Sequence, residues 1–280
     1  MRIGLTIVDT PGFGENIDNE YAFQEIVGFL ERQYDDILAE ESRIKRNARY
    51  RDNRVHALLY FITPTGHSLR EMDIELMRRL SPRVNVIPVI GKADTMTYSE
   101  RAAFKKRVVE DIEFYGIPVY NFPYDVEEDD EETIADNSEL RALMPFAIVG
   151  SEDEVVINGQ PVRARRYPWG VVEVDNPKHS DFARLRSALL NTHLTDLKEI
   201  TDDFLYENYR TESELPGVTY NASFASLTDC LDRRVLLLRA LAHRAPRLRR
   251  HGHSGRRAGE PERAAQGGAA AARGGQAPGD

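Results

Sequence analysis

"VNVIPVIGKADT", residues 84–95, is the stretch from which the fold is read. Positions 84–90 hold Val, Ile, one Asn and one Pro, with no charge. That is the composition of a strand buried on both faces, not of one that alternates between core and water. The run stops at Gly91, and Lys92, Ala93 and Asp94 follow at once. Runs of the same kind occur at 3–8, "IGLTIV", and at 55–62, "VHALLYFI", with a shorter one, "FAIV", at 146–149.

Between these runs the apolar residues fall at helical spacing. Residues 19–44 place Ala22, Ile26, Phe29, Leu30, Ile37 and Leu38 on one face behind an Asn19 cap. Residues 72–80 do the same with Ile74, Leu76, Met77 and Leu80. A third helix is expected over 99–115, capped by Ser99 and closed by Gly116. A fourth, long and unbroken, is expected over 180–206 with Phe182, Leu185, Leu189, Leu190, Leu197, Ile200 and Phe204. Residues 155–163 read as a hairpin turning at Asn158-Gly159. Buried strands alternating with helices imply an α/β fold: a mostly parallel sheet with helices on both faces.

Ligands of such sheets sit at the carboxyl ends of the strands. Asp9, residues 63–66, residues 91–94 and Gly150 all lie at such ends. In Asp9-Thr10-Pro11-Gly12, the carboxylate is suited to hold Mg²⁺ through water beside nucleotide phosphates. Gly12 would let a backbone N–H approach the terminal phosphate without a Cβ in the way. An ordinary strand-to-turn corner is the alternative. Asp94 can accept both N1–H and N2–H₂ of guanine, an edge that adenine lacks, while the Lys92 stem covers a face of the base. A lone Lys-x-Asp says little. Placed about 80 residues after Asp-x-x-Gly, again at a strand end, it becomes specific.

The order DTPGFG, "YFITPTGHSLREMDIELMRRL", "GKADT", "PFAIVGS", "RYPWGVVEVDNPKHSDF" and "LYENYR" resembles the septins, guanine-nucleotide-binding proteins that form cytoskeletal filaments. The likeness runs through residues 3–212, and small GTPases lack the block at 166–182. It implies a P-loop GTPase-like sheet. Asp9 and Gly12 would belong to switch II, with Asp9 on the Mg²⁺ side. Lys92, Asp94 and Thr95 would lie on the base. Gly150 would bring backbone near the guanine, and Arg165 would stack beside it. His67 would reach across the nucleotide-side interface, where Trp169 and His179 would also lie. GTP/GDP and Mg²⁺ are the implied cofactors. Other septin subunits are the implied partners, through the nucleotide-side interface and the opposite one. Without the resemblance, His67 and His179 read as surface-loop histidines, and Trp169 as a core or corner aromatic.

The sequence holds no Gly-x-x-x-x-Gly-Lys-[Ser/Thr]; its one Gly-Lys, at 91–92, is followed by Ala. The chain is therefore expected to lack the first strands and the phosphate loop, to leave strand edges unpaired, and to grip nucleotide weakly. The expected division is a partial guanine-nucleotide-binding domain over 1–150, a septin-specific element and C-terminal helix over 151–212, and a low-complexity, disordered tail over 213–280, in which 233–244 is a short helix candidate.

Net charge is −9 over 280 residues. Residues 233–280 carry eleven Arg and three acids, which leaves about −17 on the rest. The acidic body argues against nucleic acid as a specific partner. The arginine-rich tail is chemically suited to an anionic membrane. The run 125–132 has seven carboxylates in eight residues and reads as a solvated, extended loop rather than a metal site. One cysteine, Cys230, excludes an internal disulfide framework. No apolar run reaches the ~18 residues of a spanning helix, and the first residues do not read as a signal peptide.

The expected function is that of a septin subunit which, in its complete form, binds GTP/GDP. It would assemble into hetero-oligomers and filaments for cytokinesis, septation and cortical scaffolding. Its expected place is the cytoplasm, at the bud neck, septum or cell cortex. A nucleotide-free pseudo-GTPase interaction fragment and a signalling-type GTPase stand as alternatives. The resemblance implies slow or absent hydrolysis and points to no catalytic residue.

Overall fold

The computed structural model describes residues 4–10, 12, 19–127, 129–157 and 159–214. The chain divides into two units, Met1–Leu236 and Leu237–Asp280, and every described residue falls in the first. The expected tail disorder from 215 on and the helix candidate at 233–244 lie outside the described residues.

Helix α1 (Glu20–Glu41) leads to strand β1 (Ala57–Ile62), helix α2 (Glu71–Leu80) and strand β2 (Asn85–Ile90). A single 3₁₀ turn, Ala93–Thr95, precedes α3 (Tyr98–Phe114), α4 (Glu131–Leu143) and β3 (Phe146–Ala147). The three strands form a parallel sheet in the order β1-β2-β3. All six residues of β2 are buried, as its unbroken apolar composition requires of a central strand. Alternate residues supply two cores. Val86 and Ile90 pack with Phe23 and Leu30 of α1, Leu76 and Met77 of α2, and Phe104 and Val108 of α3. Ile87 and Val89 face the other way, onto Phe122, Leu140 of α4 and Phe146. Leu185, Leu197 and Ile200 from the C-terminal helices complete that second core.

A separate three-stranded antiparallel sheet follows: β4 (Glu154–Ile157), β5 (Gln160–Tyr167) and β6 (Gly170–Glu173). The expected hairpin forms here, with Ile157 opposite Gln160 and Gly159 at φ +82°, where glycine carries no steric penalty. Strand β6, not anticipated from sequence, returns across the tight corner at Pro168-Trp169.

Several expectations need correction. Residues 4–10 form no strand, and Leu5, Ile7 and Val8 are exposed, Ile7 to 81%. A strand is held by pairing, and no described residue pairs with this segment as a strand; Arg51 Nη2 donates to its Thr6 Oγ1 at 3.2 Å. Helix α1 stops at Glu41, three residues short of the expected end. The Asn19 side chain makes no cap bond, and its backbone carbonyl accepts from the Phe23 N–H instead. Thr97, not Ser99, caps α3 through a reciprocal capping box with Glu100. The fourth strand is two residues long rather than four, although the Ile148 N–H still donates to the Ile90 carbonyl. The acidic run is not all loop. Glu131 and Glu132 open α4, where carboxylates complement the positive end of the helix dipole.

The helix expected over 180–206 is broken into α5 (Phe182–Ser187), a π-type turn at Ala188–Thr192, α6 (Leu194–Ile200) and a second π-type turn at Thr201–Tyr206. It runs on into α7 (Glu207–Glu214). At the second break, Asn85 Nδ2 and Thr201 Oγ1 both donate to the Leu197 carbonyl, at 3.3 and 2.7 Å. Side chains thus occupy a carbonyl of the helix ladder, a recognised cause of local opening.

Candidate functional site

The parallel sheet presents its three carboxyl ends at one rim, and backbone bonds stitch them together. The Gly91 N–H donates to the Ile62 carbonyl at 3.2 Å, and the Ala93 N–H to the Ile148 carbonyl at 3.1 Å. Lys92 adopts a left-handed conformation, φ +50° and ψ +44°. For a residue with a side chain this is strained by about 1–3 kcal/mol, and such strain concentrates at ligand sites. The conformation turns the chain sharply after β2. Thr95 closes the turn from both its N–H and its Oγ1 onto the Lys92 carbonyl, at 3.0 and 2.9 Å.

This turn holds Asp94 with its side chain fully buried. One carboxylate oxygen, Oδ2, accepts from Arg165 Nη1 at 3.0 Å and from the Tyr167 phenol. The other, Oδ1, is buried and has no hydrogen-bond partner. A buried carboxylate oxygen left unpaired costs about 1–3 kcal/mol, so the arrangement is suited to a donor that the protein itself does not supply. Arg165 and Tyr167 both meet Asp94 because they are two apart on β5 and project from the same face. Their ionisation follows from the contact. Donating to the Asp94 carboxylate raises the Arg165 pKa further and also raises that of Tyr167. Trp169 continues the cluster outward. It is 81% exposed and stacks on Tyr167, ring centroids 5.0 Å apart and planes 9° from parallel.

The structure thus brings together Lys92, Asp94, Thr95, Arg165 and Trp169 of the residues singled out from sequence. Tyr167 joins them unanticipated; its signal was its i, i+2 relation to Arg165 on a strand. Gly150 ends the segment after β3, exposed, with open space where a Cβ would point. His67 is exposed in the loop after β1, its N–H donating to Thr65 Oγ1 at 3.3 Å. His179 is half-buried: its Nδ1 accepts from the Glu173 N–H at 3.2 Å, and its carbonyl accepts from Arg101 at 2.9 Å. Asp9 and Gly12 are exposed, and Gly12 has open space where a Cβ would point.

The residues present fit half of a guanine nucleotide. For the base, the free Asp94 Oδ1 faces no protein donor, and Lys92, Arg165 and the aromatic pair surround the carboxylate turn. For the phosphates and Mg²⁺ the fit fails. Among the described residues no group of three His, Cys, Asp or Glu could hold a metal, and the sequence contains no phosphate-loop motif.

Comparison with known proteins gives a consistent result. The family model described as "Septin" matches residues 1–219. Septin homolog spn3 of Schizosaccharomyces pombe is 63% identical over 211 residues, 75% of this chain and 57% of that protein. Cell division control protein 11 of Saccharomyces cerevisiae is 48% identical over 215 residues, 76% of this chain and 52% of that protein. The chain thus spans little more than half the length of these relatives. Among solved structures, Cdc11 from S. cerevisiae matches with a TM-score of 0.54 at 42% identity, covering 74% of this chain and 81% of that one. The septin GTPase domain of Chlamydomonas reinhardtii matches with a TM-score of 0.57 at 27% identity, covering 72% of this chain and 73% of that one.

Proposed function

Because the chain belongs to the septin family, we propose that it is the base-recognising and assembly-forming portion of a septin subunit. The observation that carries this reading is the buried Asp94 carboxylate with one oxygen unpaired at the carboxyl end of the central strand. Guanine offers two adjacent donors that match a carboxylate, whereas adenine offers none in that register. The residues at 151–212 form the element that completes the site, because β5 supplies Arg165 and Tyr167.

Assembly with other septin subunits is the second part of the proposal. Trp169 and His67 are exposed, which suits them to the proposed interface. The relatives named Cell division control protein 11 and, from Candida albicans, Septation protein 7 support a place at the division site. No described helix is long and apolar enough to cross a membrane. Contact with an anionic membrane is proposed only for the arginine-rich tail.

Equilibrium dialysis of the full chain against labelled GDP and ADP at millimolar concentration tests the base reading. GDP is expected to be retained at concentrations where ADP is not. Equal retention of both, or of neither, contradicts it.

A further inference from the structure

The two carboxylate oxygens of Asp94 are unequally occupied. A carboxylate oxygen offers two lone pairs. Both on Oδ2 are taken, one by the Arg165 guanidinium at 3.0 Å and one by the Tyr167 hydroxyl. Both on Oδ1 are free, within a side chain that is fully buried. Guanine read bidentately needs one site on each oxygen. Its N1–H and N2–H₂ cannot both be satisfied while Oδ2 keeps its two protein donors.

One of those donors must therefore yield. Arg165 pairs with Asp94 as a charge-assisted bond, roughly twice as strong as a neutral one. Tyr167 brings a neutral phenol, so it is the weaker holder. We propose that Tyr167 is a latch on the base site: its hydroxyl occupies the Asp94 oxygen that guanine needs, and guanine binding displaces it. The inference rests on the proposed guanine reading of Asp94 and adds a residue that sets how tightly, and how selectively, that reading operates.

Two consequences follow from the geometry. Tyr167 is stacked face to face on the exposed Trp169, so release of its hydroxyl frees the aromatic pair to shift. The exposed aromatic surface is thereby coupled to occupancy of the base site. The latch also acts unequally on related bases. Hypoxanthine keeps N1–H but lacks the N2 amine, so the free Oδ1 alone satisfies it. The hydroxyl of Tyr167 opposes guanine and leaves hypoxanthine nearly untouched.

Tyr167→Phe removes the hydroxyl and keeps the ring that stacks on Trp169. The test measures dissociation constants of GDP, IDP and ADP for the full wild-type chain and for this variant, by equilibrium dialysis. The latch predicts that GDP binds about fivefold more tightly to the variant, the equivalent of one neutral hydrogen bond no longer in competition. IDP is expected to change by less than about twofold on the same scale. Weaker GDP binding by Tyr167→Phe, or an equal change for GDP and IDP, overturns the latch and leaves guanine recognition standing. Wild-type and variant chains that bind GDP no better than ADP overturn both. A purely structural role for the hydroxyl would lower the affinity for GDP and IDP together.

Discussion

Asn85, the first residue of the central strand, reaches Thr201 in the C-terminal helical region, its Nδ2 lying 3.2 Å from the Thr201 hydroxyl. The same amide donates to the carbonyls of His56 and Leu197, at 2.7 and 3.3 Å. A single buried side chain therefore ties β2, α6 and the residue preceding β1 together at the end of the sheet opposite the base site. The tie fixes how the C-terminal segment covers the second core.

Asn85→Leu should remove the three bonds and take this donor from the His56 carbonyl, while the Leu197 carbonyl keeps its bond from Thr201 Oγ1. The expected loss is about 2 kcal/mol, from the cost of an unsatisfied buried group. Urea denaturation of the full chain would show a lower midpoint with an unchanged slope. An unchanged midpoint would mean that the amide does not hold the helices to the sheet.

Phe146 carries the packing on the same side. It is fully buried and meets Phe122 edge-on at 5.7 Å. Phe146→Ala should cost about 3–5 kcal/mol through lost burial and the cavity left behind. The same substitution at exposed Phe114 should cost far less. Thermal or urea unfolding of the two variants side by side checks the contrast.

His193 makes stability pH-dependent. It is buried between Tyr120 and Phe122, and burial lowers its pKa below the ordinary 6.5, although the nearby Asp196 pulls the other way. The folded form thus releases its proton more readily than the unfolded chain. Between the folded and unfolded pKa values the unfolded state holds more protons, so stability rises with pH there and levels off above the unfolded value. Lowering the pH through about 6.5 toward the folded value should lower the urea midpoint more in the wild type than in His193→Gln. Parallel pH profiles for the two would remove His193 as the cause.

The sequence made the two-faced sheet legible because burial on both sides leaves an unbroken apolar run, as in β2, and because α1 to α3 keep their apolar spacing. Segment 3–8 has the same signature, but its described residues, 4–8, form no strand, since pairing partners are not written in a strand's own composition. The breaks in the C-terminal helix were hidden for a related reason. The second break involves Asn85, more than a hundred residues away in sequence. At the site, Asp94 and Arg165 could be named from motif and resemblance. Tyr167 was passed over, although its place two residues after Arg165 on a strand puts both on one face. Helix α4 was obscured by its own acidic start, which resembles a solvated loop until the helix dipole is considered.

The central claim is that Asp94 reads the base by accepting hydrogen bonds. The most direct test is the base preference of Asp94→Asn, with GDP and XDP compared by equilibrium dialysis on the full chain. Xanthine replaces the guanine N2 amine with a carbonyl, and an Asn amide can donate to that carbonyl where the carboxylate cannot. The account predicts that wild type prefers GDP and that Asp94→Asn prefers XDP, each by about tenfold or more, the scale of a hydrogen bond to a charged group. A variant that still prefers GDP would show that the base is read elsewhere, and that the unpaired oxygen of Asp94 is not the recognition element.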